Sequence, residues 1–121
     1  MRLDLRLPLP PSVNHAYFTA HNGQRILTPK AKDWMIEASF LASRAVRHCK
    51  WEVQDKDVKL VMELTFRYPD RRRRDSHNML KLLLDGLEKV LYIDDKMVLP
   101  KIMDFTVDKD MPCVDIVLYE K

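Results

Sequence analysis

Pro69 to Asp95 reads PDRRRRDSHNMLKLLLDGLEKVLYIDD, and this stretch organises the rest of the chain. It opens on a turn-forming Pro69-Asp70, runs through four consecutive arginines (Arg71, Arg72, Arg73 and Arg74), and places Asp75 just before a segment of helical periodicity. It closes on Asp94-Asp95. Four adjacent guanidinium groups repel one another and are costly to bury, so the run faces solvent or an anion such as phosphate. The nearby carboxylates repel the same anion. A divalent cation, Mg²⁺ or Mn²⁺, resolves the conflict, because it takes carboxylate oxygens on one side and phosphate oxygens on the other. The bland reading of the same residues is a solvated basic loop, a helix-capping aspartate and a polar turn.

Working outward, the segment after Asp75 predicts a helix from Asp75 or Ser76 to about Leu91. Met79, Leu80, Leu83, Leu84, Leu87 and Val90 form its apolar face, and His77, Asn78, Lys81, Asp85 and Glu88 the opposite one. Val58 to Arg67 alternates in polarity and leads into the arginines as a strand. Met103, Phe105 and Val107, then Val114, Ile116 and Leu118, predict two strands after Asp95. Toward the N-terminus, Arg2 to Leu9 alternates as a half-buried strand stopped by Pro10-Pro11, and Ser12-Val13-Asn14 reads as a turn. Asn22-Gly23 predicts a tight hairpin between Tyr17 to Ala20 and Arg25 to Leu27. Thr28-Pro29 starts a helix reaching about Lys50, with Ala31, Trp34, Ala38, Leu41, Ala45 and Cys49 on its apolar stripe; Trp34 and Phe40 read as core. The expected fold is α+β, a single domain over residues 1–121. Two helices pack on a mixed or antiparallel sheet of about four main strands, with a short N-terminal hairpin.

Lysine and arginine total 21 against 18 acids, so basicity is local to one site rather than spread over the surface. Cys49 and Cys113 lack metal-type spacing and read as reduced core residues of a cytosolic protein. Charged residues interrupt the apolar pattern of the first twelve residues, which excludes a signal peptide or membrane span there.

Arg71 to Lys81, with Asp94-Asp95 about 14 residues on, resembles the motif of the RusA-type crossover junction endodeoxyribonucleases. Pro8-x-Pro10-Pro11-Ser12-x-Asn14 is similar to their N-terminal signature. The resemblance implies a cytoplasmic, nucleoid-associated homodimer of a phage, prophage or bacterial host. It would resolve four-way Holliday junctions by paired nicking in recombination and repair, using Mg²⁺ or Mn²⁺ and no small-molecule cofactor. It implies Asp75 and Asp95 as metal ligands, Lys81 as the catalytic or phosphate-contacting lysine, and Arg71, Arg72, Arg73, Arg74, Asn78 and Asn14 as DNA contacts. His77 stands where the family carries a second aspartate. The imidazole is a candidate catalytic group and third ligand, with Asp94 and Asp85 as the next candidates. The alternative is a weakly active or non-catalytic junction-binding accessory protein. Pro69-Asp70 with Asp94-Asp95-Lys96 also imitates the PD-(D/E)xK nuclease signature, but an intervening helix makes that match weaker.

Overall fold

Leu3, Leu5 and Leu7 alternate with charged residues, and β1 (Arg2–Leu7) buries all three on one face. The same alternation in β4 (Leu60–Tyr68) and β6 (Cys113–Glu120) sets the register of the central sheet. Antiparallel pairing aligns Leu3 with Leu118 and Met62, Leu5 with Ile116 and Leu64, and Leu7 with Val114 and Phe66. Each row is buried, so a one-residue slip of any strand would turn its leucines into water. The computed structural model describes residues 1–121. It shows a mixed four-stranded sheet in the order β1-β6-β4-β5, with β5 (Val98–Val107) parallel to β4 at one edge. The helix-free face is polar, with Asp115 between Arg6 and Arg67 at 2.7 Å from each and Tyr119 donating to Glu63 at 2.9 Å.

β2 (Tyr17–Thr19) and β3 (Arg25–Leu27) form the expected hairpin, with Gly23 in the left-handed region at φ 82°. Ser12-Val13-Asn14 differs from its reading as a turn, because Val13–Ala16 winds into one helical turn, α1. α2 (Pro29–Cys49) starts at Thr28, whose Oγ1 accepts the Ala31 N–H at 3.3 Å. It lies on the sheet through Ala31, Trp34, Ala38 and Ala42. Phe40, expected in the core, is instead 61% exposed with the Arg44 guanidinium 6.0 Å above its ring. It stands two residues after buried Ala38, which places it on the far side of the helix.

The second long helix is a correction. Ser76–Met79 forms a 3-10 turn, α3 occupies Leu80–Leu87, and the helix ends at Glu88 rather than near Leu91. Lys89 adopts φ 72°, and the Val90 and Leu91 N–H groups both donate back to the Leu87 carbonyl. Leu91 and Tyr92 are therefore buried by a turn that folds under the helix. The Tyr92 hydroxyl locks it by donating to the Leu84 carbonyl at 2.6 Å. No helix is long and apolar enough to cross a membrane.

α3 crosses from β4 to β5 and presses on α2 at Gly86, where a Cβ would stand 2.8 Å from Cζ3 of Trp34. The indole cannot retreat freely, because its Nε1 donates to the Pro8 carbonyl at 2.8 Å. Gly86→Ala sets a helix-propensity gain of up to about 1 kcal/mol against overpacking of about 1–3 kcal/mol. The expected net result is destabilisation, read as a lower urea midpoint with an unchanged slope. A raised midpoint would show that the indole moves aside.

Candidate functional site

β4 delivers the chain to Pro69, and a local clamp then fixes the arginine run. The Asp70 carboxylate accepts the Arg72 N–H at 2.9 Å and pairs with the Arg74 guanidinium at 2.8 Å. Arg74 also donates to the Asp70 and Arg72 carbonyls, each at 3.2 Å, and covers the Tyr68 ring at 5.0 Å. The hydrogen bond from Arg74, followed by the one from the Arg72 backbone, holds the Asp70 carboxyl below its ordinary range. Arg74 thus closes the loop. Arg71, Arg72 and Arg73 are left exposed with no carboxylate within pairing distance.

Asp75 caps the 3-10 turn, accepting from the His77 N–H at 3.0 Å. The His77 ring Nδ1 lies 3.3 Å from the same carboxylate oxygen. Ser76, the one buried polar residue, hydrogen-bonds the Tyr68 hydroxyl and pins the turn to β4. Beside Asp75 is a cleft of about 440 Å³ that gathers Ser12, His15, Lys30, Arg72, Arg73, Arg74 and Asn78. The N-terminal signature therefore reaches the arginine loop through Pro11 and Ser12, with His15 just beyond it. Asn14 is exposed on α1 and does not line this cleft.

Further along α3, Lys81, Asp85 and Glu88 recur at helical spacing on one ridge. The Lys81 Nζ lies 3.5 Å from Asp85 and 5.7 Å from the centre of the Tyr17 ring, and the Tyr17 hydroxyl donates to Asp85 at 3.4 Å. The turn after Leu87 swings Asp95 back onto this ridge. Asp85, Glu88 and Asp95 then offer carboxylate oxygens that all lie within 4.8 Å of one another. Burial, then the charge of Glu88 and the neighbouring Asp85, push the Asp95 carboxyl above its ordinary value. Three hard oxygen donors at this spacing fit a divalent cation such as Mg²⁺ or Mn²⁺.

The structure thus groups the predicted residues in two. Asp75, His77, Asn78 and the arginines meet at the head of the ridge, and Lys81 and Asp95 meet lower down with Asp85 and Glu88. Asp75 and His77 are not part of the three-carboxylate group. Asp94 caps the Asp95–Met97 turn, accepting the Lys96 N–H at 3.0 Å, and also stands outside that group. Glu88 was placed on the polar face of the helix by its periodicity, but not assigned a role. Its signal was the spacing Lys81, Asp85, Glu88; what hid it was the turn that brings Asp95 alongside.

The four-stranded mixed sheet thus carries a basic loop and a carboxylate-lined helix side by side. The profile of the family described as "Endodeoxyribonuclease RusA" matches residues 8–119, and the chain belongs to that family. A crossover junction endodeoxyribonuclease RusA from Aquifex aeolicus (strain VF5) is 30% identical over 90 residues, covering 69% of this chain. The match spans 61% of the length of that relative.

The raised Asp95 pKa has a testable consequence. The native state holds this proton to higher pH than the unfolded chain does, so stability is lost as pH rises from the ordinary aspartate range through the raised value. Glu88→Gln removes one of the charges responsible. Carbon-13 NMR titration is expected to show Asp95 ionising at lower pH, and urea unfolding to show the variant more stable than the parent at pH 7 but not at pH 4. An unmoved Asp95 titration would mean that the carboxylates do not share a field.

Proposed function

We propose that this protein is a metal-dependent endodeoxyribonuclease that resolves four-way DNA junctions by paired nicking, in DNA recombination and repair. The observation that carries the reading is the meeting of Asp85, Glu88 and Asp95 beside Lys81, after a loop with three unpaired arginines, in a chain of the RusA family.

Asp85, Glu88 and Asp95 would hold a divalent ion, and Asp75, with His77 beside it, would face the same ridge from above. When bound, the ion supplies a Lewis acid for the phosphate and acidifies a water. Lys81 shifts from Asp85 toward the scissile phosphate and offsets the negative charge that grows there in the transition state. Arg71, Arg72 and Arg73 hold the flanking backbone without reading sequence, and Asn78, Lys30 and His15 line the cleft where that backbone would pass. A four-way junction has near-twofold symmetry, so two opposed nicks call for a C2 dimer.

A junction-binding accessory role is the second reading. It is favoured by His77, which pairs with Asp75 and leaves the head of the ridge with one carboxylate. Both readings give salt-sensitive binding. Only the enzyme turns bound junction into nicked product on addition of Mg²⁺ or Mn²⁺.

Asp95→Asn and Asp75→Asn are each expected to lower junction cleavage at least about 100-fold. Binding should hold or tighten, since a charge facing phosphate is removed. If only Asp95→Asn does so, Asp75 is a cap and the ion rests on the lower carboxylates alone. Replacing Arg72 and Arg73 together by alanine is expected to weaken binding to all sequences alike. Each lost phosphate contact should flatten the log–log salt slope by about 0.9 on duplex DNA. An unchanged slope would place the run away from DNA.

A further inference from the structure

On the side of the arginine loop away from Asp75 runs a second groove, of about 420 Å³, lined by Tyr68, Asp70, Arg71, Arg72, Arg73, Arg74, Phe105, Thr106 and Val107. Its floor depends on a register shift. β5 follows β4 with Ile102 beside Leu64, but Asp104, not Met103, stands beside Thr65. The extra residue is Met103, and it rotates the rest of the strand by one position. Phe105 is thereby aligned with Phe66 and Val107 with Tyr68, on the face that the helices cover elsewhere. No helix reaches this corner, so Phe105 is 67% exposed and Val107 47% exposed directly below the arginines.

We propose that this groove receives an unpaired nucleobase, with Phe105 as its stacking platform and Arg71, Arg72 and Arg73 holding the phosphates on either side. The inference rests on the nuclease reading and deepens it by naming which part of the DNA this corner takes. A base needs a flat apolar surface, and its backbone needs cations one residue away; the groove offers both within one short loop and one strand end. Arg72, Arg73 and Arg74 line this groove and the cleft beside Asp75 alike, so a strand crossing the loop would have its phosphates near the carboxylate ridge and its base over Phe105. Bases at the crossover of a junction are the ones freest to leave the stack.

A second copy of the chain is the rival occupant, because β5 is a sheet edge. The edge is poorly suited to strand pairing: Pro100 has no N–H, and the Phe105 N–H is taken by the Asp104 carboxylate at 2.7 Å. Two-fold pairing there would also bring two arginine runs together.

The test compares the parent with Phe105→Ala, Phe105→Leu and Phe105→Trp in EDTA, so that DNA stays intact. Anisotropy is read with a four-way junction, a single strand of about ten nucleotides and the matching duplex. Phe105→Ala is expected to weaken single-strand and junction binding about tenfold and duplex binding less than about twofold. Phe105→Leu should lose nearly as much, having apolar area but no aromatic face. Phe105→Trp should bind as the parent does, with indole fluorescence quenched by the single strand. Parent-like binding by Phe105→Ala while the parent still binds junctions overturns this inference and leaves the nuclease reading standing. Loss of dimer by Phe105→Ala in sedimentation assigns the surface to a second copy and also overturns it. A parent that binds no DNA sinks both readings.

Discussion

Three carboxylates held within 4.8 Å of one another repel, and bringing Asp85, Glu88 and Asp95 together requires the fold to hold two separate elements against each other. Asp85 and Glu88 ride on α3, whose position is set by the contact of Gly86 with Trp34. Asp95 arrives on a turn anchored by buried Leu91 and Tyr92. Lys89 takes a left-handed backbone conformation in that turn, a placement that costs a non-glycine residue about 1–2 kcal/mol. Lys81 and the Tyr17 hydroxyl relieve part of the charge by contacting Asp85, while Asp95 keeps a raised pKa. The repulsion is thus balanced by apolar packing some distance away, and a cation would relieve it directly.

Most of the fold was legible because most of it follows period two or period three to four. The strands containing Leu3, Leu64 and Ile116 alternate in sequence and bury the expected face. The Thr28-Pro29 start and the Asn22-Gly23 hairpin follow from local backbone chemistry. What the periodicity concealed lies where apolar residues are buried by something other than a regular element. Leu87, Val90 and Leu91 continue a helical stripe, yet the last two are covered by a turn with no glycine to announce it. Met103, Phe105 and Val107 alternate like a buried strand face, but Met103 is the extra residue of a bulge, and Phe105 and Val107 lie on the helix side of the sheet beyond the reach of any helix.

The candidate site was legible in its residue types more than in its grouping. Asp75, Lys81, Asp95 and the arginines stand out by charge alone, and the family membership agrees with the motif they form. The pairing of Asp75 with Asp95 came from the family resemblance, beside a helix expected to run to about Leu91. The helix ends at Leu87, the turn after it sets Asp95 beside Asp85 and Glu88, and Asp75 contacts His77. Which carboxylates meet is a long-range property, set by a turn of five residues that carries no strong local signal.

The two-signed character of the surface follows from the same geometry. Asp70 neutralises Arg74 inside the loop, so the cations that remain are the ones pointing outward. Lys81 pairs with Asp85 on α3, the helix that follows that loop. Attraction for a phosphate backbone is thus strongest at the loop and gives way to repulsion along the carboxylates, unless a divalent ion sits there. In the proposed reading, a strand would bind across the arginines first and settle onto the ridge once the ion offsets the carboxylates and offers its open positions to phosphate oxygens. On that reading binding and chemistry would be separable by the metal alone, although their residues lie on one continuous stretch of chain.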